Sequence, residues 1–224
     1  MMFGDEKGFL CIYVGRISGE KRLDVMIDAI KRVDVIKGRR IYLAIVGDGP
    51  LGLKYAAMHG AEHGIYCRPR FWSHAELAEF YASSDVHVSS SEFETLGNTV
   101  LEAFACAIPA ICPRTQGFLD TIDHGKNGFL FTPGNSDDAK NYLQLLCDSP
   151  TLCTQLGNQG HREVQAKTIQ HVVQDLITWY EVGIDKRHNR SFLSQLMAFG
   201  IVAVNVPLCI IVLFLYTTVS ICIM

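Results

Sequence analysis

Ser89-Ser90-Ser91-Glu92-Phe93-Glu94-Thr95-Leu96-Gly97-Asn98-Thr99-Val100-Leu101-Glu102-Ala103 decides the fold. The β-rich run Asp85-Val86-His87-Val88 comes before it, and the serines end that strand and open a loop. A helix is predicted to begin near Leu96 or Gly97. Glu94 then lies in the loop at the helix mouth, while Glu102 rides on the helix about 9 to 12 Å further along its axis. Between them, the unpaired N–H groups of the first turn, around Leu96, Gly97 and Asn98, and the helix dipole favour an anion such as a diphosphate. Gly97 lets the anion come close to the backbone. Carboxylates beside phosphates repel unless their own partners are hydroxyls, which carry no charge and donate hydrogen bonds. Ribose and hexose hydroxyls meet that condition, so the segment reads as a seat for a nucleotide sugar.

Outward from this unit, strand-like and helix-like runs alternate, as in a parallel sheet covered on both faces. Phe9-Leu10-Cys11-Ile12-Tyr13-Val14 and Ile41 to Val46 are near-continuous apolar runs suited to strands buried on both sides. Shorter strands are expected near 65–66, 86–88, 110–112 and 129–131. Leu23, Met26, Ile27, Ile30 and Val33 mark one face of a first helix. Further helices are expected over 75–82, 97–106 and 136–147. Ile169, Val172, Val173, Leu176, Ile177 and Tyr180 form the apolar stripe of a long closing helix. Gly15 breaks the first strand, and Arg16 and Lys21 follow at the carboxyl end, where ligands of open α/β sheets bind.

These segments resemble the family 4 glycosyltransferases of the GT-B fold. The resemblance rests on Glu94-Thr95-Leu96-Gly97-Asn98-Thr99-Val100-Leu101-Glu102, with seven residues between the two glutamates. Tyr13-Val14-Gly15-Arg16-Ile17-Ser18-Gly19-Glu20-Lys21-Arg22, Ile45-Val46-Gly47-Asp48-Gly49-Pro50 and Gly128-Phe129-Leu130-Phe131-Thr132-Pro133-Gly134 extend it over roughly residues 8 to 182. It implies an α/β, Rossmann-like donor-binding domain, the C-terminal half of a GT-B fold, engaged in retaining transfer from a UDP- or GDP-linked sugar. It further implies that Glu94 faces the donor sugar, that Glu102 holds the ribose and that Arg16 and Lys21 neutralise the diphosphate. Gly15, Thr95, Leu96, Gly97 and Asn98 complete the donor site, with Arg70 in the region close to the nucleobase. The segment looks most like sulfoquinovosyltransferases, which act on diacylglycerol, and lipid mannosyltransferases; together with the apolar tail described below, which suggests a lipid acceptor, this makes such an acceptor the expectation. Ala107 stands where the family usually has glycine, which tightens the backbone there.

The family's acceptor-binding half is expected before residue 8, where this sequence has no room for it. An incomplete product, a separate chain supplying that half, and a membrane-anchored donor-binding subunit all remain open. Among 224 residues, 49% are hydrophobic and the net charge is −3, with basic residues scattered rather than striped, which argues against nucleic acid. The eight cysteines include no C-x-x-C pair and read as buried thiols in a reducing compartment. Met1 to Gly8 is polar and short, unlike a secretory leader. From Ser191 onward no residue is charged, so a transmembrane helix is expected over 196–216. A short N-terminal segment (1–7), the domain (8–182), a basic linker (183–195), the span and a tail (217–224) follow. Lys186, Arg187, His188 and Arg190 before the span keep the domain on the cytosolic or stromal side.

One rival reading and several decoys are present in the sequence. Gly47-Asp48-Gly49-Pro50-Leu51-Gly52 fits G-x-G-x-x-G, the mark of an NAD(P)-dependent oxidoreductase, but it follows the second strand and lacks the ribose-binding acid about 20 residues on. No cofactor is expected. No metal is expected either: Asp-x-Asp is absent, and His59 and His63 are separated by Gly60 without an H-E-x-x-H context. Arg114, just beyond a strand end, reads as a surface loop charge.

Overall fold

Six apolar runs pair side by side into one parallel sheet: β1 (Phe9–Val14), β2 (Ile41–Val46), β3 (Ile65–Cys67), β4 (Val86–Val88), β5 (Ala110–Pro113) and β6 (Gly128–Phe131), in the order β3-β2-β1-β4-β5-β6. Each is followed by helix: α1 (Leu23–Lys31), α2 (Gly52–Ala56), α3 (His74–Ala82), α4 (Asn98–Ala105), α5 (Gln116–Leu119), and finally α6 (Ser136–Asp148) and α7 (Pro150–Ala166). Burial on both faces explains why the central strands read as unbroken apolar runs rather than alternating ones. Cys11 and Tyr13 point into a core shared with α1 and α6, whereas Ile12 and Val14 point into one shared with α3 and α4. The order reverses between β1 and β4, which pair with Cys11 opposite Val86 and Ile12 opposite His87. In an open α/β sheet the crevice above such a reversal, at the carboxyl ends of the strands, is the place a ligand enters.

The computed structural model describes residues 7–33, 39–60, 64–166, 174, 177–182 and 184–185. The chain divides into two units, Met1–Ala166 and Lys167–Met224, and the sheet belongs to the first. In the second, residues 177–182 are helical, while Ile169, Val172, Val173 and Leu176 of the expected closing helix lie outside the described residues.

Helix α7 is not among the expected helices, and its 17 residues bury only Cys153, Leu156, Gly157 and Gly160. A Cβ on Gly157 would sit 2.0 Å from the Ala107 carbonyl oxygen, and one on Gly160 would sit 2.6 Å from the Phe104 ring. The helix is thus seated by missing side chains, which no apolar periodicity reports. Ala107 itself takes the left-handed conformation, with φ at 57°.

The expected single-pass membrane placement, with the domain held on the cytosolic or stromal side, is corrected. Among the described residues no helix is long and apolar enough to cross a membrane. α7, with 17 residues, carries Gln155, Asn158, Gln159, His161, Arg162 and Glu163, whereas a crossing takes about 20 predominantly apolar residues. The stretch 196–216, on which the expectation rested, lies outside the described residues.

The glycines of the G-x-G-x-x-G match have a packing reason. A Cβ on Gly47 would lie 2.0 Å from the Gly15 carbonyl oxygen, one on Gly49 2.4 Å from that of Ile17, and one on Gly52 2.8 Å from Pro69. The loop after β2 is pressed against the loop after β1, and the Ile17 amide donates to the Asp48 carbonyl at 2.8 Å. Cys11, Cys67, Cys112, Cys147 and Cys153 are buried free thiols, as expected, and burial raises the pKa of each.

Candidate functional site

Two loops meet above the sheet reversal, and polar side chains fasten them together. The loop after β1 turns at Gly15, where φ is 148°, and the Tyr13 hydroxyl donates to the Arg16 carbonyl at 2.7 Å. A 3-10 turn over Gly19–Lys21 then leads into α1 through Arg22, a non-glycine residue at φ 47°. Arg22 is held in that uncommon conformation from the loop after β4: the Ser90 hydroxyl lies 2.6 Å from the Arg22 carbonyl, and the Arg22 guanidinium donates to Glu92 Oε1 at 2.9 Å. This anchoring places the Lys21 ammonium 3.3 Å from Glu94 Oε2 and 3.5 Å from Ser91 Oγ. The side chains of Lys21 and Glu94 are 22% and 25% exposed, so the pair is partly shielded yet open to a ligand.

Glu94 is fixed from its other side as well. Its carbonyl accepts from the Gly117 amide at 3.0 Å, and a Cβ on Gly117 would stand 2.5 Å from that same oxygen. Only glycine fits there. The Thr121 hydroxyl donates to the Leu96 carbonyl at 2.9 Å. The segment 94–96 is thereby stretched between the ends of β4 and β5, and α4 starts from Gly97, in the left-handed conformation at φ 72°. No side chain caps this helix start, so its first-turn amides keep their capacity for an anion. Thr95, Leu96 and Asn98 are exposed around it.

Glu102 sits one turn beyond Asn98 on α4, exposed, with Oε2 accepting from the buried Tyr81 hydroxyl at 2.9 Å. Burial first, and the neighbouring Glu102 charge second, push the Tyr81 phenol far above its ordinary range, so it remains a donor. Beneath α4, fully buried His87 approaches Thr99 Oγ1 with Nε2 at 3.3 Å. Burial holds its pKa down to about 3, which keeps the imidazole neutral.

Gly15, Arg16 and Arg70 share a cavity of about 460 Å³ with Val14, Gly47 and Trp72 at the ends of the first three strands. The Arg70 guanidinium lies 3.6 Å from the centre of the Trp72 ring and pairs with Glu76 at 2.6 Å. That hydrogen bond, with help from Ser73, lowers the Glu76 pKa to about 2. The structure thus joins Lys21 directly to Glu94, sets Gly15, Arg16 and Arg70 around one cavity, and puts Glu102 on α4 against α3. Sequence reading passed over Arg22, Glu92, Ser90 and Tyr81. The three consecutive serines 89–91, all buried, were the available sign that this loop makes internal hydrogen bonds. Among the described residues no group of His, Cys, Asp or Glu could hold a metal ion. His59 Nδ1 accepts from the Cys67 amide at 3.1 Å, and His63 lies outside the described residues. Arg114 is exposed at the end of β5.

Comparison with known proteins gives this geometry relatives. The family described as "Glycosyl transferases group 1" matches residues 4–163. A sulfoquinovosyl transferase of Arabidopsis thaliana is 31% identical over 165 residues, covering 72% of this chain and 31% of that protein. A GDP-mannose-dependent alpha-mannosyltransferase of Corynebacterium glutamicum is 38% identical over 125 residues, 53% of this chain and 26% of that protein. Among solved structures, Anabaena HepE in complex with UDP and glucose superposes with a TM-score of 0.65 at 20% identity, over 77% of this chain and 49% of that one. This chain spans between about a third and a half of the length of the first curated relatives it matches.

Proposed function

Because this chain belongs to the group 1 glycosyl transferases, we propose that its first unit seats a nucleoside-diphosphate sugar in the crevice at the sheet reversal and promotes departure of the diphosphate. Lys21, Arg16 and the uncapped start of α4 take the negative charge that grows on the leaving group. Fixed cations and amides aimed at developing charge are a large source of rate enhancement and need no metal. Glu94 accepts from the donor sugar's hydroxyls, and Glu102 accepts from the ribose. Gly15, Arg70 and their shared cavity flank the base, while Thr95, Leu96, Gly97 and Asn98 line the anion seat. The observation that carries this reading is the contact of Lys21 with Ser91 and Glu94. It brings a phosphate-binding cation and a hydroxyl-binding carboxylate to one point from loops about seventy residues apart.

The reaction is transfer of a hexosyl group with retention of configuration from a UDP- or GDP-linked donor, and the acceptor is a lipid. Two facts favour an apolar acceptor: the resemblance to a sulfoquinovosyl transferase, and Phe93 and Leu96, 77% and 53% exposed on either side of Glu94. The share of its relatives that this chain spans favours a second reading of its scope: donor binding resides here, and the acceptor half comes from further polypeptide, in the same or a partner chain. Calorimetric titration with UDP and GDP, each free and sugar-linked, tests the assignment. Replacing Glu102 with alanine is expected to cost about 1.5–3 kcal/mol of donor affinity. Unchanged binding in that variant would count against the role of Glu102.

A further inference from the structure

We infer that Tyr81 is a positioning residue for Glu102, pre-setting the carboxylate so that its second oxygen is presented to the ribose; this rests on the reading of Glu102 given above. Tyr81 is 2% exposed and packs in an apolar cluster with Ile12, Val14, Ala44, Val46, Ala103 and Ile108, where phenylalanine would fill the same space. The hydroxyl is therefore the feature that needs a reason. It has one proton, and two acceptors lie within reach: Glu102 Oε2 at 2.9 Å and the Thr99 carbonyl at 3.2 Å. A carboxylate is the stronger acceptor, so the hydroxyl donates its hydrogen bond to Glu102. The bond leaves from helix α3 and ends on helix α4, so it fixes a long, otherwise exposed side chain from a rigid and buried base. An unheld glutamate would have to give up its rotamer freedom when the donor arrives, and holding it beforehand removes that part of the cost.

The test compares ribose recognition with overall affinity. UDP and 2′,3′-dideoxy-UDP, with GDP and its dideoxy counterpart in parallel, are titrated into the full chain, into Tyr81→Phe, into Glu102→Ala and into the double variant. The unaltered chain is expected to prefer the ribonucleotide by roughly tenfold or more, the worth of a hydrogen bond to a charged group. In Tyr81→Phe that preference should fall by roughly threefold to tenfold while dideoxynucleotide affinity stays the same. In the Glu102→Ala background the tyrosine change should have no further effect on the preference. Thermal melts taken alongside report whether each variant is folded. Equal losses for both nucleotides in Tyr81→Phe, full preference in Tyr81→Phe, or a further loss of preference when Tyr81→Phe is added to Glu102→Ala, overturns the positioning role. Full preference in Glu102→Ala instead removes the ribose assignment of Glu102 itself.

Discussion

Replacing Lys21 with methionine separates the ion pair's part in stability from its part in binding. At 3.3 Å from Glu94 Oε2, the pair has a gross attraction of about 5 kcal/mol at an effective dielectric constant near 20. Desolvation and side-chain ordering offset most of that, and pairs with this much solvent access contribute roughly 1 kcal/mol net. Lys21→Met is therefore expected to lower unfolding stability by about 1 kcal/mol, mainly by leaving the Glu94 carboxylate, 25% exposed, without its cation. Adding Glu94→Gln should recover most of that loss. Binding should not recover. A charge-assisted contact to phosphate is worth about 1.5–3 kcal/mol, so UDP should weaken roughly 10- to 150-fold in both the single and the double variant. Uridine, which carries no phosphate, should weaken little. Paired denaturant melts and calorimetric titrations with UDP and uridine read both quantities. Equal losses for UDP and uridine would refute the placement of the diphosphate against Lys21, as would full recovery of UDP binding in the double variant.

Ala107→Gly should raise stability by about 0.5–1 kcal/mol, because alanine at φ 57° carries a steric penalty that glycine lacks; a melting temperature that fails to rise would contradict this. Gly117→Ala should lower stability by about 1–3 kcal/mol, since the new Cβ would stand 2.5 Å from the Glu94 carbonyl oxygen and must push backbone aside. Donor affinity should fall with it, and an unchanged melt would show that the loop yields freely. His87, with its folded pKa held to about 3, stays neutral where the unfolded imidazole, titrating near 6.5, takes a proton. Its contribution is complete above about pH 6.5 and is lost as pH falls toward 3, at about 1.4 kcal/mol per pH unit. Urea melts of His87→Leu over that window should show a shallower dependence by that amount, and coincident slopes would exclude His87 as the source.

The core of the fold was legible because burial on both faces writes itself into strands such as Phe9–Val14 and Ile41–Val46 as unbroken apolar runs. The helix after Ser91 was legible for a different reason: a glycine at its mouth and carboxylates on either side have few purely structural explanations. Elements held by the absence of side chains left no such trace. Gly157 and Gly160 seat α7 against Ala107 and Phe104, and in the sequence they look like interruptions of a helix. Gly47, Gly49 and Gly52 imitate a dinucleotide motif, although their task is to let loops touch. Tyr81 was hidden in the opposite way, since it obeys the apolar pattern of α3 and only the structure shows what its oxygen meets. Arg22 was hidden as well, because a charged residue in a turn reads as surface until its φ of 47° and its bond to Glu92 are seen. The stretch 196–216, on whose apolar length the membrane expectation rested, lies outside the described residues.

The most direct measurement is a crystal structure of the chain with UDP-glucose or GDP-mannose bound. The account predicts the diphosphate within hydrogen-bond distance of Lys21 and Arg16 at the start of α4, the ribose hydroxyls on Glu102, and the sugar hydroxyls on Glu94. A nucleotide seated away from the β1–β4 reversal, or one there whose ribose leaves Glu102 untouched and whose phosphates face away from Lys21, would contradict it.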